Sequence, residues 1–167
     1  MSQAYEANLS SLYNDVARVV AKLRERNKLP DDFCARRLSL VFERDVYSLH
    51  SDLFDDTFET FRARLRSGDS CGIRYCLDTS VVLIRNKNVI GTAIFLPPED
   101  SDSILLFALV VRKKFRKSWV TPVLKMAAFE AAIDVGAKTL IFHAFLGNKD
   151  TVRNATRAGA QRAPALD

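Results

Sequence analysis

The chain has 167 residues, of which 48% are hydrophobic and 27% are charged. These values are typical of one globular domain that can bury a sizeable core. No apolar run approaches the ~20 residues of a membrane-spanning helix, which excludes a transmembrane segment, and we expect no membrane partner.

The net charge of +5 is unevenly distributed along the chain. Residues 1–111 carry 14 Lys and Arg against 16 Asp and Glu, a net charge of −2. Residues 112–167 carry 11 against 4, a net charge of +7. The positive field of the last third predicts an anionic ligand there, which could be a nucleic acid, a phosphorylated cofactor or an acidic partner.

The cysteines and the first residues indicate the compartment. Cys34, Cys71 and Cys76 form an odd and sparse set, which fits thiols in a reducing compartment better than a disulfide framework. Cys71 and Cys76 lack the second pair of ligands that a zinc site needs, so no metal site is expected. The start of the chain lacks the basic and apolar segments of a secretory signal, and we therefore expect a cytoplasmic protein.

The first half of the chain predicts helices and one strand. Leucines and valines recur every three or four residues over residues 5–26, which predicts an amphipathic helix that ends before Pro30. Residues 36–44 alternate between apolar and polar side chains and predict a half-buried strand. Residues 45–66 predict two short helices, the second closed by Gly68.

The second half predicts a sheet interrupted by helices. Residues 80–96 contain two β-branched runs around a short turn, the pattern of a hairpin. Residues 104–111 are a continuous apolar run, which predicts a central strand buried on both faces. A helix over 119–135, a strand over 139–145 and a turn followed by a helix over 147–160 complete the predicted elements.

This element order indicates an α/β domain of the α+β type with a mixed sheet. We expect residues 1–30 to form an N-terminal amphipathic helix packed on a domain of residues 31–167. The chain leaves room for one short strand after the last predicted helix.

A dense group of cations lies between the apolar strand and the following helix. It consists of Arg112, Lys113, Lys114, Arg116 and Lys117. Ser118 can cap the helix, Pro122 fits its first turn and Gly136 can close it. Unsatisfied N–H groups and the helix dipole make such a junction a site for anions. The five cations favour phosphate as the bound anion. A solvated basic turn would explain the same charges.

The stretch FALVVRKKFRKSWVT, residues 107–121, resembles the acyl-CoA-binding segment of the GNAT superfamily of N-acyltransferases. In that segment a strand ends in Val and an Arg or Gln follows five residues later. Here Val111 and Arg116 have this spacing, and the aromatic Phe115 precedes the arginine.

A second motif, after the next predicted strand, is similar to another GNAT pattern. That pattern has Asn, a small residue three positions on and Gly eleven positions on, which match Asn148, Thr151 and Gly159. The resemblance covers roughly residues 36–160. It implies a GNAT-like fold, here with an extra N-terminal helix and a shortened C-terminus. The family has one more C-terminal strand, so either the sheet is truncated, or the N-terminal helix or another subunit, as in a homodimer, fills the gap.

The resemblance implies acetyl-CoA or another acyl-CoA as co-substrate. The central strand of the family splays from its neighbour, and pantetheine would pair there with the backbone of Leu109, Val110 and Val111. Asn148 would contact the cofactor or order its turn. The residues expected to cradle the pyrophosphate are Arg116, Lys117, Ser118, Trp119, Val120 and Thr121.

The chain also departs from the family pattern. Trp119 and Thr121 occupy positions where the family has Gly and Gly or Ala, which let the backbone approach phosphates without a Cβ. Ala155 occupies the position of the Tyr that protonates the departing thiolate in many members, and Ala160 that of an aromatic residue. Loss of a general acid slows a reaction typically 10²–10⁴-fold.

Two residues are candidate catalytic bases, because the attacking amine must be neutral. Glu99 follows the second strand of the hairpin, and His143 lies on the predicted strand 139–145. A lone histidine on an apolar strand is more often a core residue, and Glu99 is most simply a solvated loop residue.

Three functions remain open from the sequence. The first is an acyl-CoA-dependent N-acyltransferase, most simply an acetyltransferase, acting on an unknown amine of a small molecule or a protein. The second is a weak or inactive protein of the same fold that binds CoA or a partner. The third is a nucleic-acid-binding module that uses the basic last third, and it ranks last because the first 111 residues are slightly acidic.

Overall fold

The computed structural model describes residues 2–97, 102–145, 153, 156 and 159–162. Its main elements, in chain order, are β1 (Ser2–Asn8), α1 (Leu9–Glu25), β2 (Phe33–Arg37), α2 (Glu43–His50), α3 (Phe58–Arg66), β3 (Val81–Arg85), β4 (Asn88–Leu96), β5 (Ser103–Val111), α4 (Val120–Asp134), β6 (Thr139–Phe145) and β7 (Gln161–Arg162). Short 3₁₀ helices cover Leu40–Phe42 and Lys113–Phe115.

The seven strands form one mixed sheet in the order β2-β3-β4-β5-β6-β1-β7. β5 and β6 are parallel, and all other neighbours are antiparallel. One apolar cluster joins a face of the sheet to α1 and α4, and a second joins the opposite face to α2 and α3. The α/β fold with a mixed sheet is thus confirmed, with the helices in two layers around the sheet.

The prediction of a helix from residue 5 is wrong at its start, because residues 2–8 form β1. This strand pairs with β6 along its whole length and with β7 at its centre. Tyr5 and Ala7 are buried, as expected for one face of a strand. The Asn8 side chain then accepts the N–H of Ser11 at 2.9 Å and caps α1. The N-terminal strand therefore lies beside β6, in the gap for which the predicted N-terminal helix was one candidate.

The strand predicted over residues 36–44 is also wrong. β2 ends at Arg37, and Ser39 precedes the 3₁₀ turn that leads into α2. Leu38 is buried and donates its N–H to the carbonyl of Ser80 at 2.8 Å, whereas Leu40 is 41% exposed. The alternating leucines therefore reflect one buried anchor in a turn and not the inner face of a strand.

The later elements agree with their predictions. The hairpin, the central apolar strand, the long helix and the strand after it are all present, within one or two residues of the predicted bounds. Asn86 and Lys87 both have positive φ, as a tight two-residue hairpin turn requires. Gly68 and Gly136 follow α3 and α4 with φ of 104° and 91°. The helix expected over 147–160 lies mostly outside the described residues.

Gly91 sets the distance between α4 and the sheet. A Cβ at this position would lie 3.1 Å from Cδ2 of Leu124 and 3.6 Å from Cγ1 of Val120. A larger residue would therefore push the first turns of α4 away from β4. This close approach fixes the distance between the sheet and α4, the helix that follows the basic segment of residues 112–117.

The remaining sequence expectations concern cysteines and membranes. All three cysteines are free thiols, and Cys34 and Cys71 are exposed at the surface. Across the residues that the structure describes, no helix is long and apolar enough to cross a bilayer.

Candidate functional site

β5 and β6 separate part-way along the sheet. Their pairing runs from Ser103 opposite Thr139 to Leu106 opposite Phe142. Beyond this point β5 continues to Val111 and pairs with β4. β6 continues to Phe145 and pairs with β1. We term the opening beyond Leu106 and Phe142 the splay. Within it, no strand among the described residues pairs with one backbone edge of β5.

A β-bulge at Phe107 marks the start of the splay. Ile94 is paired with Ala108 and Phe95 with Leu106, so Phe107 is the extra residue. Phe107 and Ala108 both contact the α2/α3 cluster, although successive strand residues normally face opposite sides. The bulge therefore bends β5 at the position where it leaves β6.

The residues predicted to meet pantetheine lie on this open part of β5. Val110 packs towards α2 and α3, and Val111 packs towards α4; both are buried. Leu109 packs against the α1/α4 cluster. Because these side chains point to the two faces of the sheet, the edge that faces the splay is backbone. A ligand with amide groups could pair with that edge as a strand does, and this contact stays a prediction.

The basic segment forms a folded loop between β5 and α4. The Nε of Arg116 donates to the carbonyl of Val111 at 3.1 Å and closes the loop over five residues. Lys117 has a φ of 60°, a left-handed conformation that is uncommon for residues other than glycine. Arg116 and Lys117 are both exposed. Their charges thus lie next to the start of α4 and are open to a ligand.

The first turn of α4 presents backbone N–H groups after this loop. Trp119 holds the N-cap position without a side-chain capping bond, so the cap predicted at Ser118 is wrong by one residue. The Ser118 hydroxyl still accepts the N–H of Val120 at 3.3 Å. The same hydroxyl donates to the carbonyl of Phe115 at 2.5 Å. In the described part of the chain, no group accepts the N–H of Thr121. The positive end of the helix dipole and this free donor make an anion site.

The Trp119 side chain turns away from the splay. Its ring centroid lies 4.8 Å from that of Phe33 on β2, and the guanidinium carbon of Arg85 on β3 lies 6.0 Å from it. Both strands lie beyond β4, on the opposite side of β5 from the splay. The tryptophan therefore leaves the splay open, although its backbone begins α4.

Of the two candidate bases, His143 lies within the described residues and Glu99 does not. His143 lies on β6 directly after Phe142, the last residue paired with β5, and its side chain is exposed. Phe142 packs towards α1 and α4, so the alternation of the strand places His143 on the opposite face. Glu99 lies outside the described residues.

The second motif lies mostly outside the described residues as well, including Asn148, Thr151 and Ala155. Gly159 has a φ of 75°, which glycine adopts without strain. The cofactor contact predicted for Asn148 therefore stays a prediction.

An aromatic cluster that the sequence does not predict lies beside the bulge. Its rings belong to His50, Phe54, Phe61, Tyr75 and Phe107. The ring of Phe107 lies 6.0 Å from that of Phe54 and 5.5 Å from that of Tyr75. His50 is 1% exposed, and neither of its ring nitrogens has a hydrogen-bond partner among the described residues. Burial lowers its pKa to about 4. Sequence spacing gave no signal for this cluster, because its members come from four separate segments.

Arg64 connects the cluster to two carboxylates. Its Nη1 lies 2.7 Å from Oδ2 of Asp56, and its Nε lies 2.7 Å from Oδ2 of Asp69. Its guanidinium carbon lies 5.9 Å from the ring centroid of Phe107. The hydrogen bond from Arg64 lowers the pKa of Asp69, and burial raises the pKa of Tyr75. The network holds α3 and the segment after it against the bulge.

Solved structures show which fold this arrangement has. A GCN5-related N-acetyltransferase from Sphaerobacter thermophilus is similar with a TM-score of 0.63 and 13% identity, over 97% of this chain and 48% of that chain. The ribosomal-protein-S18-alanine N-acetyltransferase from Escherichia coli has a TM-score of 0.59 and 19% identity, over 79% of each chain. An aminoglycoside N-acetyltransferase in complex with CoA has a TM-score of 0.62 and 13% identity, over 81% of this chain and 91% of that chain. The chain has the GNAT fold.

The GNAT fold is recognised here by structure and not by sequence. No protein-family model and no curated protein sequence matches the chain. The chain spans about half the length of several of the solved structures that it matches. The expected resemblance to the GNAT superfamily is therefore confirmed for the fold.

Proposed function

We propose that this GNAT-fold protein is an acyl-CoA-dependent N-acyltransferase, most simply an acetyltransferase. The observation that carries the proposal is the splay, which starts at the Phe107 bulge and ends beside the first turn of α4. A free strand edge, a cationic loop and a helix N-terminus follow one another in the order of the pantetheine and pyrophosphate of CoA. The similar aminoglycoside N-acetyltransferase, whose structure contains CoA, supports this assignment.

In this proposal the chain binds acyl-CoA mainly through backbone groups. Pantetheine pairs with the β5 edge from Leu109 to Val111. The pyrophosphate lies at the start of α4, where the exposed cations Arg116 and Lys117 reinforce the helix dipole. The other residues assigned to the cradle are Ser118, Trp119, Val120 and Thr121. Asn148 keeps its proposed contact with the cofactor.

The reaction would take place at the start of the splay. A backbone N–H of β5 beside Phe107 would polarise the thioester carbonyl as an oxyanion hole does. The attacking amine must lose a proton, and Glu99 and His143 are the proposed bases. Ala155 provides no proton for the leaving thiolate, so solvent would supply it and the reaction would be slow.

Ligand binding tests the proposal directly. Acetyl-CoA at a hundred times its dissociation constant adds about 2.7 kcal/mol to the free energy of unfolding. We expect the melting temperature to rise by about 5–10 °C, since each kcal/mol shifts a domain of this size by about 2–4 °C. Differential scanning fluorimetry with acetyl-CoA, CoA and short DNA at two salt concentrations measures this shift.

Each outcome of that experiment has a distinct meaning. If no CoA ester raises the melting temperature, the N-acyltransferase proposal fails. Stabilisation by CoA without thiol release over a panel of amines would favour the alternative of a binding protein with little activity, which Ala155 already favours. Salt-sensitive stabilisation by DNA alone would favour nucleic-acid binding.

Lys117→Gly separates ligand contact from folding. The substitution removes one cation from the proposed cradle, and we expect CoA to bind about five- to tenfold more weakly. Stability should change by less than about 1 kcal/mol, because relief of the left-handed backbone offsets the extra freedom of the unfolded chain. Isothermal titration calorimetry with CoA and urea denaturation measure the two effects.

Lys87→Gly is the matched control for this variant. Lys87 has a φ of 64° in the hairpin turn and carries the same charge. It should show the same small change in stability and no change in the CoA dissociation constant. Equal loss of affinity in both variants would mean that only net charge matters, which contradicts a cradle at Lys117.

A further inference from the structure

A second cationic site lies at the end of the β3–β4 hairpin. It is a cavity of about 380 Å³, which we term the hairpin cleft. Its polar and aromatic lining consists of Arg85, Asn86, Asn88, Arg112, Lys114 and Phe115. Among the described residues that line it, three are cations, two are side-chain amides and none is a carboxylate. Such a lining favours an anion.

The two arginines of the hairpin cleft are held in place by the fold. Nε and Nη2 of Arg112 donate to the carbonyl of Val89 at 3.2 and 3.1 Å. Nε of Arg85 donates to both carboxylate oxygens of Asp32 at 2.8 and 3.0 Å. Nη1 of Arg112 and both Nη atoms of Arg85 make no further hydrogen bond among the described residues, although the Arg85 guanidinium also lies 6.0 Å from the Trp119 ring. Guanidinium groups fixed in this way lose little conformational entropy when they bind a phosphate.

The hairpin cleft is separate from the splay. The backbone N–H of Arg112 donates to the carbonyl of Ile90 at 2.9 Å, which holds this residue on the β4 side of β5. The splay opens on the other side of β5, towards β6. Among the described residues that line the cleft, none belongs to β6 or to residues 116–121 of the proposed cradle. An anion in the hairpin cleft would therefore not share the pyrophosphate cradle.

We propose that the hairpin cleft binds a small phosphate monoester at a site distinct from the acyl-CoA site. The forked N–H groups of the arginines match phosphate oxygens, and Lys114 adds a charge without an ion pair of its own in the described part of the chain. Phe115 offers an apolar surface to the organic part of the ligand. The volume lies at the lower end of the range of about 300–1,000 Å³ for small-molecule sites.

The test uses phenyl phosphate and inorganic phosphate as probes on the full chain. Backbone amide NMR shifts of Asn86, Asn88 and Lys114 are followed at constant ionic strength, with sodium chloride as the reference salt. We expect saturable shifts at these residues, and about tenfold weaker binding in Lys114→Gln. Lys113→Gln is the matched control, because it removes the same charge one residue away and does not line the cleft. Its affinity should equal that of the unaltered protein.

A second titration in saturating CoA tests whether the site is separate. Where the melting-temperature shift shows that CoA is bound, unchanged phosphate affinity supports a separate site. Saturable phosphate binding by a protein that does not bind CoA would support the hairpin cleft and overturn only the proposed function. Displacement by CoA but not by dephospho-CoA would assign the cleft to the 3′-phosphate of the co-substrate and overturn a separate site. Equal weakening in Lys113→Gln and Lys114→Gln, or shifts that do not saturate, would also overturn it.

Discussion

Trp119→Ala is expected to lower the free energy of unfolding by about 3 kcal/mol while changing CoA affinity less than about threefold. The indole contacts the ring of Phe33 and the guanidinium of Arg85, and it packs against the α1/α4 core. Removing a large aromatic side chain from such a contact costs about 3–5 kcal/mol when it is fully buried, and Trp119 is partly exposed. The proposed ligand contact is the backbone N–H of residue 119, which alanine retains.

Urea denaturation and CoA titration of Trp119→Ala measure these two effects at a temperature where the variant is folded. Trp119→Phe is the control, because it keeps an aromatic ring against Phe33 and should recover most of the lost stability. A CoA affinity more than tenfold higher in the alanine variant would contradict this account of Trp119. It would show that the indole blocks the cradle and that the missing family glycine limits binding.

The parts of the fold that sequence predicted correctly are those with strong local signals. Residues 104–111 are apolar throughout, and the flanking hairpin and helix carry turn and cap residues of their own. The strand–loop–helix unit around the basic segment was therefore predictable, although the N-cap of α4 is Trp119 and not the predicted Ser118. The GNAT resemblance rests on the same unit, and the solved structures confirm the fold.

The parts that sequence missed depend on contacts between distant segments. Residues 5–8 of β1 carry a helical prediction because the strand partner, β6, lies more than 130 residues later in the chain. The bulge at Phe107 arises from the register between β4 and β5, and a uniform apolar run gives no sign of it. The direction of the Trp119 side chain likewise depends on Phe33. Residue spacing alone therefore showed that Trp119 replaces the family glycine. It did not show that the indole points away from the splay.

His50, in the aromatic cluster beside the bulge, is expected to make the free energy of unfolding depend strongly on pH. As the pH falls from 6.5 towards 4, we expect the free energy of unfolding to decrease by about 1.4 kcal/mol per pH unit and by about 3 kcal/mol in total. Burial lowers the pKa of His50 from 6.5 to about 4, while the charge of Asp56 opposes this shift and that of Arg64 adds to it. In the unfolded chain the imidazole takes up a proton near pH 6.5, but in the folded chain it does so only near pH 4. The unfolded state binds more protons between these values, so acid favours unfolding.

His50→Phe isolates this effect. The variant keeps a ring of similar size against Phe54 and Phe61 and removes the titrating group. Urea denaturation at pH 7, 6, 5 and 4.5 should show a loss of stability in the unaltered protein that exceeds the loss in the variant by about 2 kcal/mol. The lowered pKa values of Asp32 and Asp69, both caused first by hydrogen bonds from arginine, make their stabilising contribution disappear mainly below about pH 4.

The two pH profiles also test whether the aromatic cluster excludes solvent from the His50 imidazole. His143 and every carboxylate are present in both proteins, so the difference between the profiles belongs to His50 alone. At pH 7 the variant should be at least as stable as the unaltered protein, because it replaces a buried polar ring without hydrogen bonds by an apolar one. Parallel profiles would contradict this account. They would mean that solvent or a ligand reaches the imidazole, and that the aromatic cluster opens next to the start of the splay.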